Sequence, residues 1–122
     1  MPSVHELNFA GFIVRGRLSP LSKSLRFFPN LLSLKLRELN IDEHDLHGLL
    51  ESFQFVPNLQ MLSLYNNPLG HAVTSVVPHI INLKELRLLW ITNTGYTEEE
   101  LNYIQDTVQH VLPELKIITE RN

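Results

Sequence analysis

Five short apolar strings recur along the chain: Val4-x-x-Leu7-x-Phe9, Leu31-x-x-Leu34-x-Leu36, Leu59-x-x-Leu62-x-Leu64, Leu83-x-x-Leu86-x-Leu88 and Leu112-x-x-Leu115-x-Ile117. Their starts are separated by 27, 28, 24 and 29 residues. Two share a lead-in, Pro29-Asn30-Leu31 and Pro57-Asn58-Leu59. Such a period constrains the fold strongly, because each unit is too small to bury its apolar face except against its neighbours. Within a string the apolar residues alternate, which predicts strands of about three to five residues. Strands this short must stack, and parallel stacking requires a crossover between each pair.

The segments between the strings read as helical crossovers. Ser19-Pro20 is an N-cap with a proline at the first helical position, ahead of Leu21, Leu25 and Phe28. Asp42 or Asp45 caps the next, whose Leu46, Leu49, Leu50 and Phe53 share one face. Val73, Val76, Val77 and Ile80 supply an inner face for the third, which Pro78 kinks or shortens. In the fourth, Thr97-Glu98-Glu99-Glu100 is a capping box, and Leu101, Ile104, Val108 and Val111 form one stripe.

The third string runs on through Asn67 to Leu69, completing the pattern L-x-x-L-x-L-x-x-N-x-L. The chain thus resembles the leucine-rich-repeat family, in its longer, ribonuclease-inhibitor-like branch. The resemblance implies an α/β leucine-rich-repeat solenoid, a horseshoe segment with short parallel strands on its concave side and helices on its convex side. It makes residues 1-122 a single leucine-rich-repeat domain of about four repeats plus a C-terminal closing strand. The family's asparagine position is filled only by Asn67; Phe12, Leu39 and Ile91 stand in the other strings. Those turns must satisfy their backbone groups in another way. Asn93 replaces the next apolar residue after the fourth string.

A stacked sheet needs covering at both ends. Thr97 to Ile118 supplies a closing helix and strand, followed by the polar Thr119-Glu120-Arg121-Asn122, whereas only Met1-Pro2-Ser3 precede the first strand. The expectation is the C-terminal part of a longer repeat protein. The alternative is a complete small stack whose first strand is blunted by Pro2 or associates through its open edge.

Composition excludes several kinds of chemistry. With no cysteine there is no disulfide framework, thiolate zinc site, iron–sulfur cluster or cysteine nucleophile, which fits a reducing compartment. A formal charge of −3 argues against nucleic acid and anionic membrane as partners. The first residues carry no signal-peptide pattern, and no apolar run is long enough to span a bilayer, so a cytoplasmic location is expected. The five glycines are scattered, and neither HExxH nor GxSxG occurs. His44, Asp45 and His47 have a metal-like spacing but read more simply as the solvated start of a capped helix. No catalytic residue, metal or cofactor is assigned; the chain is not expected to be an enzyme.

Binding residues follow from the strand period. Residues alternating with the buried leucines face outward: Asn8, Lys35, Ser63, Arg87 and Lys116, then Ala10, Arg37, Tyr65, Leu89 and Ile118. The next positions are Gly11, Glu38, Asn66, Trp90 and Thr119. Lys35, Arg37, Glu38, Tyr65, Asn66, Arg87, Leu89 and Trp90 are therefore the candidate partner-binding set. Trp90 has a second reading, folded inward over the turn as core. Aromatics and arginine dominate interface hot spots, so the expected function is a non-catalytic protein–protein interaction scaffold. An alternative is an RNA- or nucleotide-binding adaptor that uses the local basic and aromatic residues. The family resemblance adds a third, the substrate-recognition piece of a ubiquitin ligase of PRAME-like or F-box type, alongside the repeats of innate-immune sensors.

Overall fold

Alternating burial along Ser33–Arg37 shows how the strings become strands: Leu34 and Leu36 are fully buried, whereas Ser33, Lys35 and Arg37 stay partly open to solvent. The computed structural model describes residues 4–10, 18–41 and 43–119. Among these, β1 (Glu6–Ala10), β2 (Ser33–Arg37), β3 (Met61–Ser63), β4 (Leu88–Trp90) and β5 (Lys116–Ile118) form a five-stranded sheet. The strands lie side by side in chain order and every adjacent pair is parallel. The architecture is α/β.

Register sets which residues share a face. Leu7, Leu34, Leu62, Leu89 and Ile117 lie opposite one another across the strands. From β2 onward all of them are buried. Leu36, Leu64 and Ile91 form a second buried row. This corrects the fourth string, which begins at Leu86 and not at Leu83. Leu86-x-x-Leu89-x-Ile91 starts twenty-seven residues after Leu59 and restores an even period. The turns leading into the strands agree. The N–H of Leu31, Leu59, Leu86 and Leu115 each donates three residues back, to Phe28, Val56, Leu83 and Leu112 respectively. Leu83 and Leu112 therefore belong to the turns before the strands.

The crossovers begin with α1 (Leu18–Ser24), running into a 3-10 turn over Leu25–Phe27. α1 starts before Ser19, so Ser19-Pro20 lies inside the helix and does not cap it. In α2 (Glu43–Ser52) and the 3-10 turn Phe53–Phe55, the predicted face of Leu46, Leu49, Leu50 and Phe53 is buried. Asp45 is the third residue of α2 and not its cap; Asp42 falls outside the described residues. The third crossover is a 3-10 segment, Gly70–Val76, and a four-residue α3 (Val77–Ile80) with Pro78 in its first turn. Proline costs no hydrogen bond there, and the short helix matches the expected interruption. Val73, Val76, Val77 and Ile80 are all buried. The crossovers pack on one another in chain order, α1 on α2, α2 on the Gly70–Val76 segment, and that segment and α3 on α4 (Glu98–Val111).

The capping box of α4 is present: Thr97 Oγ1 accepts from the Glu100 N–H, and Glu100 accepts from the Thr97 N–H. Its apolar stripe ends sooner than predicted. Ile104 and Val108 are fully buried, but Val111 is 41% exposed and Leu112, just past the helix, takes the inward place. No helix among the described residues is long and apolar enough to cross a membrane. The N-terminal Met1-Pro2-Ser3, Gly11, Phe12 and the terminal Glu120-Arg121-Asn122 lie outside the described residues.

Candidate functional site

The sheet has one face turned from the core, and the strand period fills it. One row across it is Glu6, Ser33, Met61, Leu88 and Lys116; the next is Asn8, Lys35, Ser63, Trp90 and Ile118. The same alternation carries Arg37 and Tyr65 outward beyond them. Met61, Leu88, Trp90 and Ile118 are each half-buried, so the centre of the face is apolar.

Two aromatic residues anchor that centre. The rings of Tyr65 and Trp90 lie 5.5 Å apart, tilted by 49°, within the separation at which aromatic pairs attract. The Trp90 Nε1–H donates to Thr92 Oγ1 at 2.9 Å, which fixes the indole plane. Trp90 is thus a half-buried residue of the outward face; the inward reading does not hold.

Charged groups surround the aromatics. Lys35 Nζ lies 3.3 Å from a Glu6 carboxylate oxygen across β1 and β2. Arg37 is half-buried, and its Nε is buried without a hydrogen-bond partner. Arg87 is exposed just before β4, with Nη1 donating to the carbonyls of Lys84 and Leu86. It therefore borders the face and does not stand in the row with Lys35 and Ser63. Lys116 is exposed at the start of β5.

Beyond the strand ends runs a polar ladder. Asn93 Nδ2 donates to Asn66 Oδ1 at 2.6 Å, and Asn66 Nδ2 donates to Glu38 Oε1 at 3.0 Å. All three residues have φ near +58°, a left-handed conformation that Asn tolerates better than most residues. Glu38 and Asn66, both named in the candidate set, lie side by side on the rim.

One candidate is corrected. Leu89 is fully buried between Leu62 and Ile117 and has no outward surface. A single-residue slip of register exchanges the two faces of a strand, and Leu88 takes its place outside. Sequence reading also missed Met61, Leu88 and Asn93. Counting twenty-seven residues from Leu59 to Leu86 would have placed Leu88 and Asn93, and the alternation with Leu62 already turns Met61 outward.

Other polar clusters converge less. His44 and His47 are exposed on α2, whereas Asp45 is buried. Among the described residues no three His, Asp or Glu side chains come together as a metal-binding group. His71 Nδ1 lies 2.6 Å from Glu100 Oε2, a contact that joins the capping box at the start of α4. Among known proteins, no family model matches the chain and no curated protein matches its sequence.

Proposed function

We propose that the chain is a leucine-rich-repeat module of the ribonuclease-inhibitor-like branch, a horseshoe segment that binds another protein through the outward face of its strands. It performs no chemistry of its own. The observation that carries this is the Tyr65–Trp90 pair, half-buried at the centre of a face made by five parallel strands in chain order. Aromatic anchors bury large area at low entropic cost, and a polar rim around them is the usual anatomy of a protein interface. Repeat spacings near 27 and 28 residues and the inserted Asn67 support the family reading. The paired Lys35 supports protein over nucleic acid, because Glu6 already neutralises it.

Affinity capture from cell extract with the intact chain and with Tyr65→Ala/Arg87→Glu tests the proposal. A protein retained by the first and lost with the second, then shown to bind the purified chain, supports it. A purified partner bound equally by both forms would remove the face from the function.

A further inference from the structure

We infer that the outward face takes an extended acidic peptide segment, with a carboxylate on Arg37 and a neighbouring apolar side chain on the Tyr65–Trp90 pair. The inference rests on the partner-binding reading and gives that partner a chemistry.

Arg37 is the starting point. Its Nε is buried and donates to nothing, while the residue as a whole remains partly open. Buried donors are nearly always satisfied, so an unsatisfied one calls for a physical reason. Among the described residues the ion pairs are Lys35–Glu6 and His71–Glu100, and neither reaches Arg37. A guanidinium already stripped of part of its water loses less on binding, and its planar fork matches a carboxylate in two parallel hydrogen bonds.

The charge around it has the same sense. Glu6 is paired with Lys35, while Glu38 keeps its charge as it accepts from the neutral Asn66 amide, so one acid on this rim stands against three cations. Arg37, Arg87 and Lys116 remain as cations without a carboxylate among the described residues, although the whole chain carries −3. An acidic ligand is therefore drawn to this face and repelled by the rest of the surface.

Spacing links the acid to the anchor. Side chains on one side of an extended peptide recur about every 7 Å, and neighbouring strands of a sheet lie about 4.8 Å apart. A peptide crossing the strands with its acid over β2 thus sets its next same-side residue over β3 and β4, where Tyr65 and Trp90 lie. The acceptor is a carboxylate and not a nucleic-acid backbone, because the chain as a whole carries −3 and the cations on this face are too few to follow a run of phosphates.

Selection of displayed random peptides, about twelve residues long, against the intact chain tests this directly. The expected ligands carry Asp or Glu two residues from an aliphatic or aromatic residue. Replacing that acid by its amide should weaken binding at least about tenfold to the intact chain and little to Arg37→Gln, the coupling that marks a direct pair. Arg37→Lys should recover only part of the affinity. Unchanged circular dichroism and unfolding midpoints guard against misfolding, and the amide exchange on the peptide needs no protein variant.

Ligands that lose binding with Tyr65→Ala but lack an acid, or tolerate the amide, would overturn the acidic-peptide inference and leave the partner face standing. No ligands, or ligands indifferent to Tyr65→Ala, would overturn both. Binding of polyuridylate that is lost both with salt and with Arg37→Gln would replace the peptide by nucleic acid.

Discussion

The carboxamide of Asn67 serves the backbone of Leu39, 28 residues earlier in the chain. Its Oδ1 accepts the N–H of Leu39 at 3.0 Å and of Ile41 at 3.2 Å, while Nδ2 donates to the carbonyls of Leu36 at 2.6 Å and Leu64 at 3.0 Å. One buried side chain thereby satisfies two turns, the one leaving β2 and the one leaving β3. The turn around Leu39 needs no asparagine of its own, because its neighbour supplies the amide. After β4 the corresponding position is Thr94, whose hydroxyl donates to Ile91 and whose carbonyl accepts from Leu69 and Gly70. The left-handed ladder of Glu38, Asn66 and Asn93 stands next to these buried groups, so the turns that hold the sheet together also shape its rim.

Asn67→Ala should therefore cost about 2–5 kcal/mol, because several buried backbone groups lose partners together. Urea unfolding monitored by circular dichroism measures it. Asn67→Asp should be no milder at neutral pH, since a carboxylate cannot donate to the carbonyls of Leu36 and Leu64. A loss below about 0.5 kcal/mol for the alanine variant would mean that these groups find other partners.

A pair of adjacent leucines tests the register of β4. Leu89→Ala should destabilise by about 2–5 kcal/mol through a core cavity. Leu88→Ala, on the half-buried outward face, should cost less than about 1.5 kcal/mol. Equal losses, or the reverse order, would return the fourth strand to the register in which Leu88 points inward.

The same leucines explain what the sequence could and could not reveal. Around β2 and β3, isolated leucines at alternate positions admit one register, and a shared Pro-Asn-Leu lead-in marks the start. At α4, a capping box and an apolar stripe are local signals, legible without the fold. Leu86-Arg87-Leu88-Leu89 offers two overlapping strings, and nothing local chooses between them. The choice is made by pairing: Leu89 between Leu62 and Ile117 closes the core, and Trp90, opposite the buried Ser63, falls on the other face. The aromatic pair, the buried Arg37 Nε and the Glu38–Asn66–Asn93 ladder depend on contacts between neighbouring strands and turns, so residue types alone did not disclose them.

Two glycines should respond with opposite signs. Gly48 lies exposed within α2, and a Cβ there would meet nothing within 4 Å, so Gly48→Ala should stabilise by about 0.5–1 kcal/mol. Gly95 has φ +89°, and its Cβ would lie 3.3 Å from the backbone N and Cα of Gly70. Gly95→Ala should therefore destabilise by about 1–3 kcal/mol. Thermal melting of both variants provides the comparison, and a neutral Gly95→Ala would show that the turn before α4 can relax.

The start of α4 should make stability depend on acid. The Thr97 N–H, and after it the His71 ring, hold the Glu100 carboxyl below its ordinary value of 4.5. A carboxyl whose value falls on folding contributes stability that is complete above that ordinary value. The contribution is lost progressively as pH drops below 4.5 and through the depressed value. Glu100→Gln should thus lower stability at neutral pH and flatten the acid limb of the stability profile. Thr97→Ala removes the hydroxyl side of the capping box and should cost about 0.5–2 kcal/mol at neutral pH. It should leave much of the acid dependence intact, because the backbone N–H of Thr97 still binds Glu100. Denaturant midpoints measured between neutral pH and pH 3 distinguish the two variants, since only the glutamine lacks the titrating group. Parallel acid limbs for Glu100→Gln and the unaltered chain would assign the pH dependence to other carboxylates.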